Sequence, residues 1–162
     1  MSLGAKEIVA MDVSELSVKY LKEKYSSDSR VTIYHGNAST IIKTLDSNFD
    51  LVNSIGVMFH IIDYVEWIET INAISKSLRN TGLLVIGGNF GWFDGINVKI
   101  DKAGNICKRL RSLRRWKREL KRVGFSKTHL YRNNAYLWIN DPLPENSVLI
   151  SEMGKISNEF GP

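Results

Sequence analysis

Residues 4–14 read GAKEIVAMDVS, and this stretch decides the fold. Within it, IVAMDV at 8–13 is a short apolar run with branched side chains, the composition of a buried strand. The run carries an acid, Asp12, near its end, and Ser14 follows as the N-cap of a helix. A strand that ends on an acid and turns into a helix is how the ribose of a nucleotide-type cofactor is gripped. It is the second half of such a unit. The first half, a strand and a glycine-rich turn, belongs upstream, where only MSL and Gly4 stand.

Downstream, Val18, Leu21 and Tyr25 form a helical stripe, with Glu15 and Lys19 paired four apart. VTIYHGNA at 31–38 reads as a second strand that breaks at Gly36, and 39–45 as a short helix. FDLVNSIGVMFHIID at 49–63 starts as a third strand and passes through 54–56 into a loop or helix. Residues 65–82 predict an amphipathic helix with Ile68, Ile71, Ile74 and Leu78 on one face, ended by NTG. LLVIGGNF at 83–90 is apolar enough for a strand buried on both faces. An irregular stretch with a turn covers 91–105. A helix follows over 109–123, with Leu110, Leu113, Trp116, Leu120 and Val123 inward and Gly124 as its cap. Strands at 125–133 and 135–140 join at Asn133 and Asn134, and DPLPEN at 141–146 is a proline-stiffened loop. A short apolar strand, a glycine turn and an incipient helix close the chain over 147–162. Strands alternating with helices predict an α/β domain with a mainly parallel sheet and one antiparallel strand.

Composition narrows the class. The 162 residues are 43% hydrophobic and 24% charged, which suits one soluble domain over 1–162. No apolar run approaches the roughly 20 residues of a membrane span, and no leader-like segment opens the chain. The single Cys107 excludes an internal disulfide and a cysteine metal cluster, and it fits a cytoplasmic setting. His35, His60 and His129 have no metal-ligand spacing, so no metal is expected. Net charge is +5, yet 108–122 (KRLRSLRRWKRELKR) alone carries +8. The excess is one local block.

Taken together, AKEIVAMDVS, VTIYHGNAS, FDLVNSIGVMFHIID, ISKSLRNTGLLVIGG and WKRELKRVGF resemble, in order and spacing, the motifs of class I S-adenosylmethionine-dependent methyltransferases (type 11/12-like). The resemblance spans about residues 5–125. It implies a Rossmann-like three-layer sandwich and S-adenosylmethionine as cofactor. In that family a first strand and glycine loop precede the stretch that opens this chain. SVLISEMGKISNEF at 147–160 resembles that missing piece. Joined tail to head, the ends read in the family's order, and the interval from Ile150 through Pro162 to Asp12 fits. A circular permutation is therefore expected, with 147–162 supplying the first strand, loop and helix. A C-terminal extension or the start of a further domain are the other readings of this tail.

The resemblance implies a cofactor site of Asp12, Val13, Asn37, Ala38, Ser54, Ile55, Glu152 and Gly154. Asp12 would accept from the ribose hydroxyls, or simply favour the helix start at Ser14. Asn37 would face the adenine amine, or make an ordinary Gly-Asn turn. Glu152 and Gly154 would form an impoverished glycine loop, or a plain turn. His60 is a candidate general base, or a structural histidine. Asn89, Phe90 and Trp92 follow the fourth strand of the chain and would border the acceptor, or belong to core and loop. The basic block would present Arg111, Arg114, Arg115, Lys117, Arg118 and Lys121 to nucleic acid, an acidic partner or anionic lipid, although a solvated face is the more ordinary reading.

The expected function is methyl transfer to a small or macromolecular acceptor that the sequence does not specify. Proximity and orientation would carry such catalysis, so no triad or metal motif is required. Two alternatives stand beside it: a non-catalytic methyltransferase-like domain that binds through its basic helix, and a fragment completed by a partner chain.

Overall fold

A computed structural model describes residues 4–45, 48–88, 90–91, 93–94, 96–132 and 147–153. The chain divides into two compact units, Met1–Asp46 and Ser47–Pro162.

The first unit is a β-α-β-α run. Strand β1 (Ile8–Asp12) leads into helix α1 (Glu15–Lys24), and β2 (Val31–His35) into α2 (Ala38–Thr44). The strands pair in parallel from Ile8 opposite Val31 to Asp12 opposite His35. Each helix starts on a side-chain cap. Ser14 accepts from the Ser17 amide, and Asn37 from the Ser39 amide at 2.9 Å. Asp28 and Arg30 form an ion pair of 2.7 Å beside β2, and hydrogen bonds from Arg30 hold the Asp28 carboxyl down at about 2.

The second unit holds β3 (Phe49–Ile55), α3 (Tyr64–Ser77), β4 (Leu78–Gly88), β5 (Phe90–Gly91), β6 (Ile96–Ile100), β7 (Ile106–Ser112), α4 (Leu113–Arg122), β8 (Phe125–Arg132) and β9 (Ser147–Met153). Its main sheet has the order β3-β4-β9-β8, and β5, β7 and β6 form a smaller sheet. Strand β4 is parallel to β3, while β9 runs antiparallel to both β4 and β8. The expected helix over 65–82 stops at Ser77. Its NTG ending becomes an irregularity inside β4, where pairing jumps from Phe49–Leu78 to Leu51–Leu83. The α3 stripe is buried through Ile71 and Ile74, as its spacing predicts. Trp67 lies edge-on to Trp116 of α4, ring centroids 4.8 Å apart. Leu84 and Leu149 bring the centre of the sheet into the same core.

Two expectations are corrected here. The tail strand does not take the place of a first strand. A first strand would run parallel between neighbours that are themselves parallel. Instead, β9 lies antiparallel between β4 and β8, with Leu149 and Ser151 fully buried. Thr128 Oγ1 and Ser151 Oγ meet at 3.1 Å across the β8–β9 pair. The circular permutation is thereby withdrawn, and β9 is the antiparallel strand of the sheet. The expected strand at 135–140, the loop at 141–146 and the helix after Gly154 lie outside the described residues.

The second correction concerns the basic block. Residues 109–112 belong to strand β7, which forms a hairpin with β6 where an irregular stretch was expected. The helix begins only at Leu113, with Ser112 as its cap, its Oγ accepting from the Arg115 amide at 3.1 Å.

Within α4 the one acid of the block, Glu119, is buried and paired with Arg118 at 3.0 Å and Arg122 at 2.9 Å. Burial pushes its carboxyl up, but the hydrogen bonds from the two arginines more than offset this, so its pKa lies below the ordinary 4.5. A carboxyl lowered on folding stabilises above its unfolded pKa, and that stability fades as pH falls through the folded value. Glu119→Gln is expected to cost about 1–2 kcal/mol near neutrality, discounted because both arginines are half exposed. The gap to wild type should close in urea titrations as pH falls from 4.5 into the acid range. A gap independent of pH would refute the assignment.

Candidate functional site

Asp12 sits at the C-terminal end of β1, the end at which open α/β sheets bind ligands. Its Oδ1 accepts from the Ser14 amide at 2.8 Å, and Oδ2 accepts no hydrogen bond among the described residues. Val13 beyond it is 72% exposed. Opposite, the Gly36 amide donates to the Asp12 carbonyl at 2.9 Å, and Gly36 has φ +140, so the turn leaves β2 in a conformation that suits glycine. His35 Nε2 lies 3.1 Å from the Val13 carbonyl. Asn37 is committed to α2: its Oδ1 accepts from the Ser39 amide and from Ser39 Oγ at 2.8 Å. Ala38 opens that helix, with its backbone amide at the positive end of the helix dipole.

In the second unit, Ser54 is buried and Ile55 is exposed at the C-terminal end of β3. Gly56 follows with φ +76 and donates its amide to the Gly87 carbonyl of β4 at 2.8 Å. The ends of β3 and β4 are therefore level. Glu152 is elsewhere: it pairs with Leu83, while Ser147 pairs with Gly88. Glu152 thus lies toward the N-terminal end of β4, across the length of the sheet from Ser54 and Ile55, and faces His129 at 3.7 Å. The structure does not bring it to the ligand end, because β9 runs against β4. Gly154, Asn89 and Trp92 lie outside the described residues.

His60 Nδ1–H donates to the Cys107 carbonyl of β7 at 3.1 Å, and its ring tilts on Phe59. That bond selects the tautomer whose Nε2 carries the lone pair. The chain is held here a second time, by the Arg109 amide donating to the Phe59 carbonyl at 2.8 Å.

This pairing builds a cavity the sequence did not foreshadow. Met58, Phe59, Phe90, Arg109, Arg111 and Trp116 line it, over Gly87 and Gly88 at the end of β4. Gly88 has φ +118, and a Cβ on it would stand 2.8 Å from Phe59 Cε1. Arg111 is only 3% exposed. Its guanidinium covers the Trp67 ring at 4.4 Å, and Nη2 donates long bonds to the carbonyls of Ile62 and Asp63. Burial, with Arg109 and Arg115 adding like charge, pulls its pKa down to about 10.

The arginines expected to meet nucleic acid are thereby dispersed. Arg111 is buried, Arg115 pairs with Asp94 at 2.8 Å, and Arg118 pairs with Glu119. Only Arg114 among them is exposed with no ion pair among the described residues. No group of histidine, cysteine or acidic side chains suited to a metal occurs among the described residues.

A β-α-β-α unit with an acid at the end of its first strand, and a level pair of strand ends beside it in sequence, define a domain of the nucleotide-cofactor class. The family model described as "Methyltransferase domain" matches residues 1–82, and the chain belongs to that family. The solved structures it resembles share its fold. An S-adenosylmethionine-dependent methyltransferase from Clostridium acetobutylicum is 14% identical with a TM-score of 0.67, over 92% of this chain and 76% of that one. The 1,6-didemethyltoxoflavin-N1-methyltransferase of Burkholderia thailandensis, solved with 1,6-didemethyltoxoflavin and S-adenosylhomocysteine, is 17% identical with a TM-score of 0.65, over 91% of this chain and 61% of that one. N-methyltransferase NodS from Bradyrhizobium japonicum, solved with S-adenosylhomocysteine, is 13% identical with a TM-score of 0.61, over 91% and 66%. The chain spans 53% of a matched Bordetella parapertussis protein, so it is shorter than several of the proteins it resembles. No curated protein matches it.

Proposed function

We propose that the chain is an S-adenosylmethionine-dependent methyltransferase. The observation that carries this reading is Asp12: a carboxylate at a strand's C-terminal end, with one oxygen fixed by the Ser14 amide and the other open to accept. That acceptor fits a ribose diol, whose hydroxyls donate to a charged oxygen held in place. When bound, the cofactor supplies a sulfonium-activated methyl group. Asp12 would hold the ribose, Val13 would cover the base, and the Ala38 amide at the start of α2 would donate toward it. Asn37 contributes by capping that helix. As the resemblance implies, Ser54 and Ile55 of the second unit would be cofactor residues as well, and His60 Nε2 would take the proton of an acceptor that loses one.

Calorimetry with S-adenosylhomocysteine tests this. Asp12→Asn keeps an oxygen for the Ser14 amide and removes the charge, so binding is expected to fall at least about tenfold while the fold persists. Wild-type protein that takes up no ligand at millimolar concentration would overturn the reading.

A second reading has an observation of its own. Among the described residues β3 is hydrogen-bonded on one side only, and Leu51 and Ile55 are 54% and 58% exposed. Parallel strands are normally covered and paired on both sides. This favours completion of the edge by a strand from a partner chain. Sedimentation across a concentration series should then show association, and a monomer at every concentration would count against it.

A further inference from the structure

The cavity under Phe59 carries a surplus of hydrogen-bond donors. Arg109 Nε and Arg111 Nη1 are buried and have no partner, and neither arginine forms an ion pair among the described residues. Outside that lining, the indole Nε1 of Trp67, beneath the Arg111 guanidinium, is likewise buried and without a hydrogen-bond partner among the described residues. Every one of these orphaned groups is a donor. Buried polar groups are ordinarily satisfied, and an isolated buried charge is among the costliest arrangements in a protein. The nearby carboxylates are engaged elsewhere. Asp94 is held by Arg115 and Ser112, and Asp63 caps α3 through the Glu66 amide. Among the described residues no carboxylate is hydrogen-bonded to either arginine of the pair.

The geometry points to an anion subsite for the methyl acceptor: the Arg109–Arg111 pair takes a carboxylate, and half-buried Phe59 bears on the apolar body that carries it. Two residues apart on β7, both arginines line the same cavity. The guanidinium fork matches a carboxylate in a planar, two-bonded contact. The enclosed part is tight, with room for one small group, so only the carboxylate enters it and the remainder of the acceptor stays outside. The position also suits transfer, since Gly87 and Gly88 place the cavity at the ligand end of β4. The lowered Arg111 pKa agrees with a buried charge beside the like charges of Arg109 and Arg115, only partly offset by Asp63, although the side chain stays protonated at neutral pH.

The word acceptor rests on the methyltransferase reading; the anion subsite does not. The test therefore uses binding without cofactor. Phenylacetate and its neutral analogue phenylacetamide are titrated against the full chain by NMR or calorimetry. Phenylacetate is expected to bind saturably, at least about tenfold more tightly than the amide. Arg109→Gln, at the less buried position, should remove that preference. Arg111→Met should do the same, and Arg109→Gln answers the question alone if Arg111→Met fails to fold. Equal affinity for acid and amide, absence of acid binding, or a preference untouched by Arg109→Gln would each overturn the proposal. S-adenosylhomocysteine binding is measured on the same samples. Its loss with the acid preference intact would fault the methyltransferase reading alone, and the reverse result would fault the subsite alone.

Discussion

Trp67→Ala is expected to destabilise the protein by about 3–5 kcal/mol, the range for removing a large aromatic side chain from a core. Trp67 is fully buried on α3, packs edge-on against Trp116, and has the Arg111 guanidinium 4.4 Å from its ring centroid. Loss of the ring would open a void and leave a buried cation without its aromatic partner. Urea unfolding would read this as a lower midpoint with little change in slope. Trp67→Phe should behave differently. The indole N–H has no hydrogen-bond partner among the described residues, so its removal takes away an unsatisfied buried donor as well as some volume. A cost below about 2 kcal/mol is expected for it. Comparable losses for Phe and Ala, or a loss under about 1 kcal/mol for Ala, would show that the indole is not the centre of this core.

The sequence discloses the parts of this fold that obey local rules. IVAMD with Ser14 after it is a strand and a capped helix by chemistry alone, and both form where expected. The stripe on α3 is equally direct. The tail shows where local rules stop. SVLISEM is a strand in any reading, but an apolar run has no marker for direction or neighbours. Only the pairing of Leu149 with Ile86 on one side and Leu130 on the other fixes it as antiparallel. The basic block misleads for a different reason. Leu110 and Leu113 continue the spacing of Trp116 and Leu120 backwards across a strand–helix junction, so a helical stripe extends on paper into β7. Ser112 was the available signal, an N-cap inside the supposed helix. The arginine cavity could not be read at all. It depends on Phe59 and Arg109 meeting through the backbone, a contact between distant segments.

Gly88→Ala is expected to cost about 2–6 kcal/mol. Part is backbone strain, about 1–3 kcal/mol, because φ +118 is a conformation that side-chain-bearing residues rarely hold. The rest is overpacking, about 1–3 kcal/mol, because the new methyl would stand 2.8 Å from Phe59 Cε1. Gly104→Ala separates the two contributions. That glycine has φ +85, but nothing lies within 4 Å of its would-be Cβ, so strain alone should appear. The consequence at Gly88 extends beyond stability. Phe59 can yield only by moving its ring, which bears on the cavity that Arg109 and Arg111 line and lies 4.8 Å from Lys108 Nζ. Folded Gly88→Ala protein should therefore bind phenylacetate at least about tenfold more weakly, while binding of S-adenosylhomocysteine through Asp12 changes little. Equal costs for the two glycines in thermal or urea unfolding would mean that Phe59 gives way freely. Unchanged phenylacetate binding in Gly88→Ala would then show that the ring does not shape the cavity, and would separate the carboxylate contact from the wall beside it.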